Sequence, residues 1–107
     1  MKITSQSPYL REKVTNESYE IDFGTLKKGS DTTVTINFKD VNHINVSKTC
    51  GCTMPTIVLL PEGGFDLEIK YDNNKVGVVN QAVTEKVIDE TKTQKTIIFS
   101  LKGQIVE

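Results

Sequence analysis

The sequence contains a single alanine, Ala82, and no tryptophan. Alanine is the strongest helix former, whereas 34 of the 107 residues are valine, isoleucine or threonine, whose stiff β-branched side chains suit a pleated sheet. This composition argues against a helical bundle or a coiled coil and favours an all-β protein. A chain of 107 residues has the length of one domain that can bury its own core.

The sequence also lacks a surplus of basic charge and any long apolar run. Lysine and arginine number 13 against 14 acidic residues, so the electropositive excess of a nucleic-acid-binding domain is missing. No apolar run resembles the core of a signal peptide or could span a bilayer. We therefore expect neither a nucleic-acid nor a membrane partner, and Met1 favours a cytosolic chain over the mature form of an exported one.

Apolar and polar residues alternate along about seven short segments that Gly, Pro, Asn and Asp separate. A period of two is typical of strands with one buried face, and two sheets have to meet to bury such faces. The sequence thus predicts a single β-sandwich of about seven antiparallel strands over residues 17–107. The predicted strands begin near Tyr19, Val34, Ile44, Thr56, Phe65, Val76 and Ile97.

Residues 1–16 are the least patterned part of the chain, and they predict either an N-terminal arm or a short edge strand. The apolar residues of such a strand would be Tyr9, Leu10 and Val14. Tyr9 and Leu10 are either core residues of this edge strand or an anchor that contacts a partner, and the sequence favours neither interpretation.

Both cysteines lie in the string Cys50-Gly51-Cys52, which is not a disulfide framework. The interpretation that we favour is structural, with small buried hydrophobic residues around a glycine that permits a bulge or bend. Side chains at positions i and i+2 of a strand share a face, so the two thiols could also close a strained, redox-active disulfide. A third alternative is a soft-metal site in which both thiolates bind Cu(I), helped by His43.

The remaining polar residues suggest no active site. His43, the only histidine, is expected to be a surface residue because no acidic partner is evident. Asp22, Asp66 and Glu68 alternate with apolar residues beside lysines, which predicts cross-strand ion pairs rather than an acid–base pair. No string resembles a nucleophile elbow or a phosphate-binding loop. We accordingly assign no catalytic, cofactor-binding or metal-binding residue and expect a protein that is not an enzyme.

A family pattern is carried by four strings: residues 19–29 (YEIDFGTLKKG), 49–55 (TCGCTMP), 60–64 (LPEGG) and 101–106 (LKGQIV). In this order they resemble a family of bacterial immunoglobulin-like domains of unknown function, which is related to ciliary and centrosomal immunoglobulin-like modules. The resemblance implies an immunoglobulin-like topology for the sandwich. It also implies that Cys50, Gly51 and Cys52 are a family motif, and it supplies a fold more than a function.

The function expected from this reasoning is that of a structural or interaction protein. Small immunoglobulin-like domains that stand alone are typical of tailed-phage virions, and the shared Cys-Gly-Cys string is consistent with a Bacteroides host. We expect an auxiliary, or decoration, protein on the capsid surface of a phage resembling the crAss-like group, made in the host cytoplasm. Its partners would be the major capsid protein or other virion proteins, bound in many copies.

Two alternatives remain at the level of the sequence. One is an immunoglobulin-like adhesion or binding module of a bacterial cell envelope, located in the periplasm or at the cell surface. The other is a thiol redox or Cu(I)-binding protein that uses Cys50 and Cys52.

Overall fold

A computed structural model describes residues 2–11 and 17–107 of the chain. Within these ranges the secondary structure consists of strands, and no helix is present. The strands are β1 (Lys2–Thr4), β2 (Ser18–Lys27), β3 (Thr33–Lys39), β4 (Val41–Lys48), β5 (Thr53–Leu59), β6 (Phe65–Tyr71), β7 (Gly77–Asp89) and β8 (Gln94–Val106).

The strands form two four-stranded sheets, in the orders β1-β3-β6-β5 and β2-β8-β7-β4. Buried apolar side chains from both sheets form one core cluster. Phe38 and Phe65 stack within the first sheet, with ring centroids 4.6 Å apart. Phe38 also meets Phe99 of the second sheet edge-on, at 6.1 Å. The expectation of an all-β protein whose core lies between two sheets is therefore confirmed.

Strand β6 shows how the alternating sequence produces this core. Phe65, Leu67 and Ile69 are fully buried, whereas Glu68 and Lys70 between and beyond them are exposed. Burying each of these apolar side chains stabilises the fold by about 1.5–3 kcal/mol. The same alternation on neighbouring strands commits one face of each sheet to the core and leaves the other face polar.

Two features of the topology differ from the sequence-based expectation. The chain has an additional strand, β1, which pairs antiparallel with the end of β3 and places Ile3 opposite Phe38. Strand β2 runs parallel to β8, with Ile21 opposite Leu101, so the prediction of antiparallel strands throughout is wrong. Alternation reports which face of a strand is buried, and it carries no information about strand direction because both directions bury the same side chains.

Strand β2 also continues past Gly24, where a glycine after the alternating residues from Tyr19 to Phe23 predicts the end of the strand. The pairing with β8 shifts between Asp22 and Thr25, and Gly24 lies inside this irregularity with φ 61°. The Gly24 N–H donates to the Asp22 carboxylate at 2.8 Å. Gly24 therefore bends the strand without ending it, and β2 reaches Lys27.

Residues 2–11 close one side of the sandwich because they contact both sheets. β1 extends the sheet that contains β3, and further along the chain Leu10 forms an antiparallel bridge with Ile21 of β2. Val14 and the rest of residues 12–16, which the sequence assigns to the same arm or edge strand, lie outside the described residues.

Candidate functional site

The Cys50-Gly51-Cys52 string forms the turn between β4 and β5. Cys50 and Cys52 are joined by a disulfide bond, and their Cα atoms are 5.2 Å apart. The Cys52 N–H donates to Cys50 Sγ at 3.1 Å, and the Thr53 N–H donates to the Cys50 carbonyl at 3.2 Å. These hydrogen bonds fold a tight turn around Gly51, which is exposed.

This geometry overturns two expectations for the cysteines. The alternation that begins at Ile44 predicts a strand as far as Cys50, whereas both cysteines lie beyond Lys48, the last residue of β4. Both are half-buried and bonded to each other, so neither is a free thiol enclosed in the core. Sulfur atoms in a disulfide offer no pair of thiolates for Cu(I). Across residues 2–11 and 17–107, no group of three or more His, Cys, Asp or Glu side chains is arranged to hold a metal.

Apart from the disulfide turn, the candidate functional residues include a carboxylate, Glu85, inside the sandwich. Glu85 of β7 points into the core, and its side chain is 0% exposed. Its neighbours across the sheet are Val46 on β4 and Ile97 on β8. Glu85 Oε1 lies 2.5 Å from His43 Nδ1, whereas Oε2 has no hydrogen-bond partner within the part of the chain that the structure describes. One oxygen of this fully buried carboxylate thus has no hydrogen bond among the described residues to offset its loss of hydration.

A proton lies between Glu85 and His43, because two lone pairs would repel each other at this distance. Burial raises the pKa of Glu85 to about 7, and the hydrogen bond and charge of His43 oppose part of that rise. The His43 ring packs edge-on against Phe65, with centroids 5.5 Å apart. Glu85 is therefore a titratable group inside an apolar part of the core.

The expectation that His43 is a surface residue without an acidic partner is wrong. Its side chain is 22% exposed, and its partner comes from a strand 42 residues further along the chain. A signal for Glu85 exists in the sequence, because Glu85 shares the phase of Val79, Val83 and Val87, all buried on β7. An acidic residue in phase with a buried face predicts a buried carboxylate that needs a partner.

Three loops meet at the end of the sandwich opposite the disulfide turn and line a depression of about 430 Å³. They comprise residues 39–42, 60–64 and 88–92, and we call them the three-loop end. Among the described residues, only Asp40 (φ 62°) and Lys92 (φ 67°) are non-glycine residues with positive φ, and both line this depression. Such a conformation costs a non-glycine residue about 1–2 kcal/mol, and it persists only where the surrounding structure imposes it.

Close contacts to the backbone define two of the loops at the three-loop end. Gly64 has φ 77°, and a Cβ atom there would lie 2.3 Å from the Phe38 carbonyl oxygen. The Asp89 carboxylate accepts hydrogen bonds from the Thr91 hydroxyl at 2.7 Å and from the N–H groups of Thr93 and Thr91 at 2.9 and 3.0 Å. These bonds lower the pKa of Asp89. These hydrogen bonds stabilise the loop at residues 89–93, and the close approach of Gly64 to Phe38 restricts the loop at residues 60–64 to a conformation that glycine allows.

Tyr9 and Leu10 are half-buried and pack against the core of their own domain. The Tyr9 ring meets Phe23 edge-on with centroids 5.0 Å apart, and the Tyr9 hydroxyl donates to the Asp31 carbonyl at 3.2 Å. Tyr9 and Leu10 therefore contact the core along the edge of β2, and contact with a partner stays a prediction.

The acidic residues predicted on polar strand faces make other contacts than the expected lysines. Asp22 accepts the N–H of Gly24, and Asp66 accepts the side-chain amide of Asn37 at 2.9 Å. Glu68 is exposed on β6. Asp22 therefore stabilises a local turn and Asp66 the pairing of β3 with β6, and no ion pair of Glu68 is found among the described residues.

Comparison with known proteins gives no relative from which a role could be transferred: no family model, no curated protein and no solved structure matches the chain. Within the described residues, no helix has the length and apolar character needed to cross a membrane.

Proposed function

We propose that this chain is a non-enzymatic interaction domain with an immunoglobulin-like topology, and that it docks on a protein partner through the three-loop end. The observation that carries the proposal is that Asp40 and Lys92, both with positive φ, line the same depression. Backbone strain of this kind is concentrated at binding surfaces, and loops on a rigid scaffold are the usual place for them. Because the loops are already fixed, docking costs them little conformational entropy.

The edges of the sheets support docking through loops rather than through strand addition. β1 has three residues, and β5 contains Pro55, which has no N–H to donate to an added strand. The pairing of β4 shifts around Ile44, and β2 is bridged by Leu10. Short strands, prolines, bulges and covered edges are the devices by which proteins prevent edge-to-edge pairing.

The charges of the three-loop end favour a protein as the partner. Lys39 and Lys92 line the depression together with Asp40, Glu62 and Asp89. Interspersed charges of both signs complement a polar protein surface, whereas a phosphate backbone selects clustered basic residues.

The setting that we propose is the capsid surface of a phage, where the chain acts as an auxiliary capsid protein on the major capsid protein. The motif resemblance of residues 49–55 supports this assignment. A small domain with fixed loops is suited to a repeating lattice, because many weak contacts hold a multicopy layer that no single contact could hold.

The disulfide favours a second candidate, a binding module of the bacterial cell envelope. Disulfides persist in the periplasm and at cell surfaces, whereas the cytoplasm keeps thiols reduced. Alkylation of intact host cells before lysis separates the two settings. A phage protein made in the cytoplasm is expected to carry alkylated Cys50 and Cys52 before particles are released, and an envelope protein is expected to be oxidised throughout.

Docking itself is tested by sedimentation of the full chain with purified capsids. Glycine adopts positive φ without strain, so D40G and K92G keep the fold while they remove side chains from the three-loop end. We expect each to weaken binding at least tenfold and to leave the unfolding midpoint unchanged or slightly raised, because the relief of strain at positive φ opposes the higher backbone entropy of glycine in the unfolded chain. K75A, an exposed lysine at the opposite end, is the matched control and should bind as the wild type does.

Two results would refute the proposal. Purified particles that lack the chain by mass spectrometry would exclude the virion setting. Equal binding of wild type, D40G and K92G would show that the three-loop end is not the docking surface.

A further inference from the structure

The Cys50–Cys52 disulfide encloses a ring of only three residues, since the sequence separation is 2. The stabilisation that a disulfide provides grows with the length of chain it closes, and for so short a ring it corresponds to roughly a tenfold shift in the unfolding equilibrium. Removing this bond therefore leaves most of the stability of a sandwich with a continuous core. The oxidised and reduced chains can both be folded, which a reversible redox couple requires.

The two sulfur atoms have different surroundings. Cys50 Sγ accepts the Cys52 N–H at 3.1 Å, whereas the contact of Cys52 Sγ is the Thr53 hydroxyl at 4.0 Å. A hydrogen bond to sulfur stabilises the thiolate over the thiol. Because the more stable thiolate leaves faster in thiol–disulfide exchange, Cys50 is the leaving group and Cys52 is the sulfur that is attacked.

The turn leaves room for an incoming thiol. Gly51 is exposed, and a Cβ atom built on it finds no heavy atom within 4 Å. Both cysteines are half-buried rather than enclosed. The turn is therefore uncrowded around Gly51, and Cys52 keeps exposed surface at which a peptide or protein thiol can approach its sulfur along the line of the S–S bond.

We propose that Cys50–Cys52 is a stoichiometric thiol–disulfide exchange site that accepts an exposed thiol of a peptide or protein at Cys52 Sγ. The incoming thiolate forms a bond to Cys52 Sγ while the bond between Cys52 and Cys50 breaks, and the bonding electron pair leaves with Cys50 as its thiolate. The reverse attack of Cys50 on Cys52 expels the bound thiolate and restores the disulfide. This activity goes beyond docking through the three-loop end, because the two sites lie at opposite ends of the sandwich.

The first experiment locates the mixed disulfide. The folded, oxidised full chain is incubated with reduced glutathione as the probe, quenched with acid, alkylated and sequenced by mass spectrometry. We expect glutathione on Cys52 and the alkyl group on Cys50, in at least fivefold excess over the opposite pattern. Equal partition, glutathione mainly on Cys50, or reaction only after unfolding in urea would overturn the proposal.

The second experiment measures each thiol alone. C52S retains Cys50 together with the backbone N–H of residue 52, and C50S retains Cys52 without a hydrogen bond of this kind. We expect the thiol of C52S to react with a chromogenic disulfide at pH 7 at least threefold faster than the thiol of C50S. The opposite order would refute the assignment of the leaving group.

Circular dichroism of the reduced wild type keeps these tests independent of folding. The reduced chain is expected to give the same spectrum as the oxidised chain, with a slightly lower unfolding midpoint. A reduced chain that is unfolded would show that the bond is a structural staple, and it would overturn the exchange site.

Discussion

The substitution of Glu85 by glutamine tests whether a titratable group is buried in the core. Glutamine has nearly the same shape as glutamate, retains an oxygen that can accept from His43, and does not ionise. Burial raises the pKa of Glu85 to about 7, from an ordinary value of 4.5. The folded state therefore binds a proton over a pH range in which the unfolded chain has already lost it.

The sign and size of the effect follow from this difference. Between pH 4.5 and 7 the folded state binds more protons than the unfolded state, so the free energy of unfolding decreases as the pH rises. Each pKa unit corresponds to about 1.4 kcal/mol, so the loss between these limits is about 3 kcal/mol. Below pH 4.5 and above pH 7 Glu85 adds no further dependence. A loss of about 3 kcal/mol is a large fraction of the 5–15 kcal/mol that stabilises a typical domain.

The measurement is urea unfolding of wild type and E85Q at pH 5 and pH 8. We expect the stability of E85Q relative to wild type to increase by about 2.5 kcal/mol between these pH values. E68Q is the matched control, since Glu68 is exposed on β6, and its stability relative to wild type should change by less than about 0.5 kcal/mol. A constant difference between E85Q and wild type, or a wild type that gains stability toward pH 8 relative to E85Q, would contradict a buried Glu85.

Three further predictions concern the same core and its borders. H43Q removes the group that opposes the pKa rise of Glu85, so we expect it to cost about 2–4 kcal/mol at pH 8 and less at pH 5 in urea unfolding. G64A places a Cβ atom 2.3 Å from a backbone oxygen at φ 77° and should cost about 2–4 kcal/mol. G63A, at φ 94° with open space around it, should cost only about 1 kcal/mol, and equal losses for the two glycines would contradict the close approach. Y9A should lower the free energy of unfolding by about 2 kcal/mol, and a neutral result would show that residues 2–11 do not pack as described.

The faces of the strands could be predicted from the sequence, and their pairing could not. Phe65, Leu67 and Ile69 alternate with polar residues so regularly that the sequence predicts one buried face for this strand. β1 is too short for an alternation to be recognised in the sequence, since Ile3 is the single apolar residue between Lys2 and Thr4. The parallel pairing of β2 with β8 depends on contacts between distant parts of the chain, which local alternation does not report.

The disulfide turn shows why the spacing of Cys50 and Cys52 does not determine how the two sulfur atoms are bonded. The spacing of Cys50 and Cys52 allowed a bond, a metal site and two separate core residues alike. What selects among them is the backbone of the turn, where the N–H groups of Cys52 and Thr53 bond back to Cys50. The turn exists because β4 ends at Lys48 and β5 begins at Thr53. A strand predicted to continue through Cys50 leaves no place for this turn.

The buried pair was missed because a single residue changes the phase of β4. A strict period of two puts Ile44 and Val46 on one face and His43 on the other. In the structure the register with β7 shifts between His43 and Asn45, so Ile44 is the extra residue and is 45% exposed. The bulge lets His43 and Val46 both face inward, where His43 meets Glu85. Val41 and His43 share one phase before the shift, opposite Asp89 and Val87, so without the shift His43 would still face inward and Asn45 would lie opposite Glu85. The bulge therefore places the apolar Val46, rather than a polar side chain, opposite the buried carboxylate.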